Sequence, residues 1–418
     1  MKTAKLKDSE LGPIPEDWEV KRLGEIGEPC MCKRVLKCQT LAHGEVPFYK
    51  IGTFGHVPDS FIDRALYESL KSKYSFPKQG DCLISAAGTI GRVVVYNGED
   101  AYFQDSNIVW IDNDESIVAN DYLALCYSHM KWQSEDGGII SRLYNANLMS
   151  QIILVPPLPE QQRIAEALGA VDRLIDSLDA QIAKKRRIAQ GLAHALLGMR
   201  NDKNEPIRRL PGFKGEWEKK RLGEIGEFYG GLQGKTAADF GHGNAHYITF
   251  LNVLKNVVIN TKELAKVEVA SSERQNKVRQ GDLFFNVSSE TPEEVAMCAV
   301  LMDELPETYL NSFCCGFRLQ CNDNDPLFIS YYFNGKMGRD LVKTLANGIT
   351  RFNLSKKAFR ESCVIWPPTL AEQRAIAEVL AAADAEIAAL EAKKRKYAQI
   401  KAGMMRDLLT GRVRMKGE

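Results

Sequence analysis

The chain has 418 residues, 44% hydrophobic and 26% charged, a composition that excludes a disordered or collagen-like polypeptide and calls for two or three domains. Its 55 basic and 54 acidic residues leave a net charge of +1, which neither requires nor excludes a polyanionic partner, because a basic face can be balanced by acidic surface elsewhere. No apolar run reaches the length of a membrane span and Met1–Asp8 contains no apolar signal region, so the expected compartment is the cytoplasm, with the ten cysteines kept reduced.

The first element of note is Trp18-Glu-Val-Lys-Arg-Leu-Gly-Glu-Ile-Gly-Glu28. Cys30, Cys32, Cys38 and His43 follow, but the paired C-x-x-C knuckles of a zinc site are missing, and no metal is expected. Short strand-like runs occupy Phe48–Ile51, Cys82–Ser85, Arg92–Tyr96 and Asn107–Ile111, with a helix over Asn120–Trp132. Many short strands and few helices predict an α+β domain with a twisted sheet over residues 1–155.

Pro156, Pro157 and Pro159 then introduce a proline-free stretch to Leu197. Its apolar residues fall at Ile164, Leu168, Val171, Ile175, Leu178, Ile182, Ala189, Leu192 and Leu196. Steps of four and three make a coiled-coil seam, broken at Lys185. A helix of roughly 40 residues is about 60 Å long, giving a first long helix within 156–200. The polar segment Asn201–Pro206 is a linker.

The chain is then written a second time. Trp217–Glu227 repeats Trp18–Glu28 at ten of eleven positions. Gln280-Gly281-Asp282 repeats Gln79-Gly80-Asp81, and Leu370–Leu380 repeats Leu158–Leu168 at seven of eleven positions. The second globular region, 201–365, has strand-like runs at Tyr247–Leu251, Asp282–Asn286, Ala296–Leu301 and Cys314–Leu319, and a helix near Leu327–Phe333. The second long helix, within 366–418, carries its seam at Ile376, Leu380, Ala383, Ile387 and Leu390. Lys394 interrupts that seam, which resumes with a slip at Tyr397, Ile400, Met404 and Leu408 before a stop at Gly411. Each narrow seam needs a partner, and the other helix is the nearest one. The expected architecture is two similar α+β domains separated by two long antiparallel coiled-coil helices, with a pseudo-twofold internal repeat. The clusters Lys184–Arg187 and Lys393–Lys396 read as solvated helix faces, with contact to DNA backbone or an acidic partner as the alternative.

Between the repeated anchors the halves diverge. Cys82–Arg92 carries Gly-Thr-Ile-Gly at 88–91, where the second half has Ser288-Ser-Glu-Thr-Pro292. Two domains of one frame with different contents suit the binding of two different things. Catalytic signatures are not found: there is no phosphate-binding G-x-x-x-x-G-K-S/T loop, no H-E-x-x-H, no G-x-S-x-G. Trp366-Pro-Pro-Thr369 is a helix entry rather than an amine-methyltransferase turn, and Glu391-Ala-Lys393 lacks the acidic cluster of a nuclease. A non-enzymatic chain is expected.

This frame resembles the specificity subunit, HsdS, of Type I restriction-modification systems. The resemblance rests on Pro15-Glu-Asp-Trp-Glu19 with Arg22–Ile26, on Gly80-Asp81 leading to Gly88–Gly91, and on Pro156–Ala165 entering a long helix. It departs at Ala371, which stands where the first half has Pro159, and at Ser288–Pro292. The resemblance implies that each domain is a target-recognition domain reading one half of a split sequence in double-stranded DNA, with the helices setting the unread spacing. It also implies two docked modification (methyltransferase) subunits and restriction (motor-nuclease) subunits, which would carry the S-adenosylmethionine, ATP and Mg sites. A Type IIB-like system with other partners and a non-catalytic coiled-coil interaction protein are the alternatives, with a hidden nuclease third. Loop polar residues are the expected DNA contacts: Thr89, Arg92, Ser141, Arg142 and Asn145 in the first domain, and Ser288, Ser289, Thr291, Thr350, Arg351 and Asn353 in the second. Gly138–Asn145 and Gly348–Asn353 echo each other, which favours those two stretches.

Overall fold

The computed structural model describes residues 5–132, 142–200, 204–348 and 350–415. Two compact units divide the chain: one is Met1–Asp179 with Lys393–Glu418, the other Ala180–Ala392. The division falls inside both long helices, Leu158–Leu197 and Leu370–Leu408.

The first unit is built on an antiparallel sheet in the order Gly27–Met31, Ile108–Asn113, Cys82–Ser85, Val93–Val95. A second sheet pairs Tyr102–Phe103 in parallel with Val46–Tyr49. A separate ribbon joins Glu19–Arg22 to Ile152–Val155. The second unit repeats all three arrangements. Its sheet runs Gly226–Gly230, Cys314–Leu319, Leu283–Asn286, Cys298–Val300. Phe240–Ile248 lies parallel to Thr308–Leu310, and Glu218–Arg221 pairs with Cys363–Trp366.

The repeated sequence anchors now have causes. In Leu-Gly-Glu-Ile-Gly, Leu23 and Ile26, like Leu222 and Ile225, are core residues. The glycine that ends each run admits a close neighbour. A Cβ at Gly27 would lie 2.3 Å from the Asp112 carbonyl oxygen, and one at Gly226 2.5 Å from that of Arg318. No larger residue fits against the neighbouring strand at that spacing. Gln-Gly-Asp is a turn: Gly80 and Gly281 have φ of +95° and +85°, and Asp81 and Asp282 each accept a bond from the backbone amide three residues earlier. In Glu-Gln, Gln161 is fully buried and donates to the Pro156 carbonyl at 2.8 Å; Gln373 is equally buried and donates to that of Pro367 at 2.9 Å.

Glu160 and Glu372 close a matching lock in each unit. Trp18 Nε1 donates to Glu160 at 3.2 Å, and Arg414 donates to both Glu160 oxygens, its guanidinium lying 5.6 Å over the Trp18 ring. Trp217 Nε1 donates to Glu372 at 3.3 Å, and Arg209 grips the same carboxylate with two bonds of 2.8 Å. Each arginine follows a long helix, so the segment after the second helix locks onto the first domain's tryptophan. No local sequence pattern marks either arginine.

The long helices pair antiparallel inside each unit. In the first, Asp172 meets Lys401 and Asp179 meets Lys394, while Ile164, Leu168 and Leu408 share one core. In the second, Lys185 meets Glu386 at 2.6 Å and Arg186 meets Glu391 at 2.6 Å, with Leu196, Ile376 and Leu380 in one core. The expected slip in the second seam is corrected. Ile400 is 40% exposed, and half-buried Lys401 takes the seam position instead. The heptad is therefore unbroken through Tyr397, Lys401, Met404 and Leu408, because a lysine stem packs while its ammonium reaches a carboxylate on the opposite helix.

Two local expectations also change. Tyr247–Leu251 is not one strand: it ends at Ile248, and Thr249 caps a helix Phe250–Lys255 by accepting from the Asn252 amide. The helix expected to reach Trp132 ends at His129, with Met130 extended. No helix among the described residues is long and apolar enough to cross a membrane.

Candidate nucleic-acid interface

The two units share one loop platform. In the first, the turn Gln104–Asn107 precedes the strand Ile108–Asn113. The Gln104 amide donates to Tyr49, the Ala86 amide to Asn107, and the Leu143 amide to Ala86, so three segments lie side by side. In the second, the Asn311 amide donates to Ile248, the Val287 amide to Phe313, and the Leu354 amide to Val287. The isolated bridge Ala87–Arg142 corresponds to the pair Ser288–Asn353. The hydrogen-bond register thus makes Arg142 of the first unit the counterpart of Asn353 in the second. The echo between Gly138–Asn145 and Gly348–Asn353 does not give this register, because the two stretches differ in length.

What the platform displays differs between the units. In the first, a cleft of about 760 Å³ is lined by Arg34, Lys37, Lys50, Gln104, Asp105, Ser106, Asn107 and Arg142 among others. Arg34 and Lys37 are exposed. Lys50 pairs with Asp59 at 2.8 Å. Gln104 accepts from the Ile51 amide at 2.9 Å through Oε1. Ser106 has φ of 50°, a left-handed conformation uncommon for a residue with a Cβ. It presents both its hydroxyl and its carbonyl to Arg142 Nη2, at 2.9 and 3.4 Å. A smaller adjoining hollow is bordered by Ser106, Arg142, Tyr144 and Asn145, with Tyr144 63% exposed.

In the second unit the platform carries a small sheet, Ser288–Ser289 against Phe352–Leu354 against Ala346–Asn347. Exposed Arg351 lies 6.0 Å from the ring centroid of Phe313, itself 55% exposed. The display is polar and aromatic, with Arg351 exposed on it.

The expected contact residues fall into three groups. Arg142 and Asn145 border the first unit's cleft and hollow, and Thr291, Thr350, Arg351 and Asn353 are exposed in the second unit. Ser288 and Ser289 are only 7% exposed, and the Ser289 hydroxyl is spent on Glu294. Thr89 is exposed in the turn between Gly88 and Gly91 but does not line the cleft, and Arg92 is half-buried with Nη1 donating to the Phe54 carbonyl at 2.7 Å, a bond that ties a neighbouring turn to the sheet. Ser141 lies outside the described residues. Arg34, Lys37, Gln104, Asp105, Ser106 and Asn107 were missed. For the turn residues the signal was a polar Asp105-Ser-Asn107 just before an apolar strand, matched in the second half by Asn311-Ser312.

Comparison with known proteins agrees with this duplicated frame. The model of the type I restriction modification DNA specificity domain matches residues 15–185 and 214–402. A putative type I restriction enzyme specificity subunit of Haemophilus influenzae is 54% identical over 165 residues, 40% of this chain and 43% of that protein, so the match spans less than half of that relative's length. The putative type I restriction enzyme MjaX specificity subunit of Methanocaldococcus jannaschii is 26% identical over 99% of this chain and 98% of that one. The crystal structure of the S subunit of a type I restriction-modification system from M. genitalium shares the fold, with a TM-score of 0.57 at 15% identity over 97% of this chain and 99% of that one. With its two matched segments covering both halves of the internal repeat, the chain belongs to the type I restriction-modification specificity-subunit family.

Proposed function

We propose that this chain reads an asymmetric, two-part sequence in double-stranded DNA, one part with each unit, and docks two modification subunits and the restriction subunits of a Type I complex. The carrying observation is that one backbone platform presents unlike chemistry: Gln104, Asp105, Ser106, Asn107 and Arg142 in one unit, and Asn311, Ser312, Phe313, Arg351 and Asn353 in the other. Sequence is read by hydrogen-bond donors and acceptors at base edges, so unlike displays call for unlike half-sites. The exposed Arg34, Lys37, Thr350 and Arg351 suit phosphate contacts, which position without specifying.

Methyl transfer would belong to the modification subunits with S-adenosylmethionine, and translocation and cleavage to the restriction subunits with ATP and Mg. The test is to map methylated adenines in DNA from cells that express this chain with its modification partner. A split motif that appears only when the chain is present is the expected result; methylation without a motif, or a motif independent of the chain, refutes it. Exchange of residues 1–155 for another family member's first domain should alter one half of the motif only.

A further inference from the structure

Resting on that reading, we infer that Arg142 and Asp105 together read one guanine–cytosine pair in the first half-site, and that Ser106 is the positioning residue for Arg142. Ser106 holds Nη2 through its hydroxyl and carbonyl, while Nη1 and Nε have no protein partner among the described residues. Each parallel donor pair of a guanidinium, Nε with Nη2 or Nη1 with Nη2, includes Nη2, which carries two hydrogens. With one of them shared between the two Ser106 oxygens, the other and a neighbouring N–H remain as the parallel pair that matches the O6 and N7 acceptors of guanine. The left-handed backbone of Ser106 is what turns both of its oxygens to one guanidinium, a local cost of the kind that persists where the surroundings enforce it.

The acidic neighbour decides between base and phosphate. Asp105 lines the same cleft as Arg142 and has no cation paired with it among the described residues, whereas Asp59 is already matched by Lys50. An unpaired carboxylate repels a phosphate but accepts the N4 amine of cytosine. Arg34 and Lys37, both exposed and without ion pairs among the described residues, supply the phosphate contacts at the same cleft. In the second unit Asn353 stands at the Arg142 position and Asn311-Ser312 in the turn. That set has no fork and no carboxylate, so the arginine–aspartate arrangement of Arg142 and Asp105 belongs to the first unit's turn and strand alone.

The experiment uses the full chain assembled with its modification subunits and competes DNA duplexes that differ at one base pair. Arg142→Gln should reduce discrimination for guanine at one position of one half-site by roughly 5- to 150-fold, the range for a bidentate base contact, with the other half unchanged. Asp105→Asn should relax the same base pair. Ser106→Gly keeps the left-handed backbone and the carbonyl but removes the hydroxyl, and should give a smaller loss at that position. A merely structural role would lower total methylation without moving the ratio between sequences. Uniform weakening of every sequence, with a salt dependence reduced by about one ion, would make Arg142 a phosphate contact and overturn the assignment. So would an unchanged motif in Asp105→Asn, which is isosteric and tests the pair even where an Arg142 variant does not fold. Absence of any split motif with the unaltered chain would refute the recognition role itself, a result distinct from these.

Discussion

Arg414 is the residue whose removal the structure makes most costly. Its guanidinium donates to Glu160 at 2.6, 2.8 and 3.2 Å and to Asp17 at 2.8 Å twice. The side chains of Arg414 and Glu160 are 11% and 3% exposed. Burial is the largest influence on the Glu160 carboxyl and by itself would raise its pKa, but hydrogen bonds from Arg414, Trp18 and the Met415 amide outweigh it and hold it below the ordinary glutamate value. Arg414→Ala removes the strongest of these and leaves a buried carboxylate with two neutral donors. Breaking one partner out of such a pair costs about 3–5 kcal/mol, and the partly wet Arg414 places this case near 3. For a unit of this size that is a fall in Tm of roughly 6–12 °C. Calorimetry of the full chain, with amide exchange to locate the transition, measures it. Glu160→Gln in the Arg414→Ala background should recover part of the loss, since a neutral amide is cheaper to bury. The pH dependence has a fixed sign. A carboxyl with a depressed folded pKa contributes stability that is fully present above its unfolded value and is lost as pH falls through the folded one. The unaltered chain should therefore keep this contribution at pH 5, and Arg414→Ala should be less sensitive to acid over the same window. A Tm within about 1 °C of the unaltered chain, or equal acid sensitivity, would refute the account of the lock.

Three further outcomes are expected. Lys185→Leu should stabilise the second unit by about 1 kcal/mol, because the Lys185–Glu386 pair is 39% and 52% exposed and such pairs contribute little, whereas a leucine at that seam position buries apolar surface; a destabilisation seen by helical circular dichroism on heating would contradict this. Iodoacetamide at pH 8 should label Cys38 and Cys321, both exposed, and spare Cys32, Cys126 and Cys315, whose thiols burial pushes up to about 12; native-state labelling of the buried three, read by peptide mass spectrometry, would show that the cores open. Arg351→Ala should weaken binding of all DNA sequences alike and lower the salt slope by about one, since Arg351 is exposed and its contact here is the Phe313 ring; a changed methylation motif would instead make it a base reader.

The sequence by itself determined the duplication, the two long helices and the α+β character of each half. These are local or periodic properties: a heptad, a proline entry, an identical glycine pattern. Each reports a constraint repeated along the chain, such as the strand packed against Gly27 and Gly226. Only the tertiary structure decided which side chains meet. Arg414 lies 254 residues from Glu160 in sequence, and no local pattern marks that partnership. The cleft was equally illegible, because Arg34, Gln104 and Arg142 come from three separate segments that hydrogen bonding brings together. The correspondence of Arg142 in the first unit to Asn353 in the second was set by strand register, which depends on backbone bonds between distant segments and not on the letters in the loop. Even the seam lysines show the same division. Lys185 and Lys394 were legible as seam breaks, but that they and Lys401 are accommodated rather than disruptive follows from carboxylates on the facing helix.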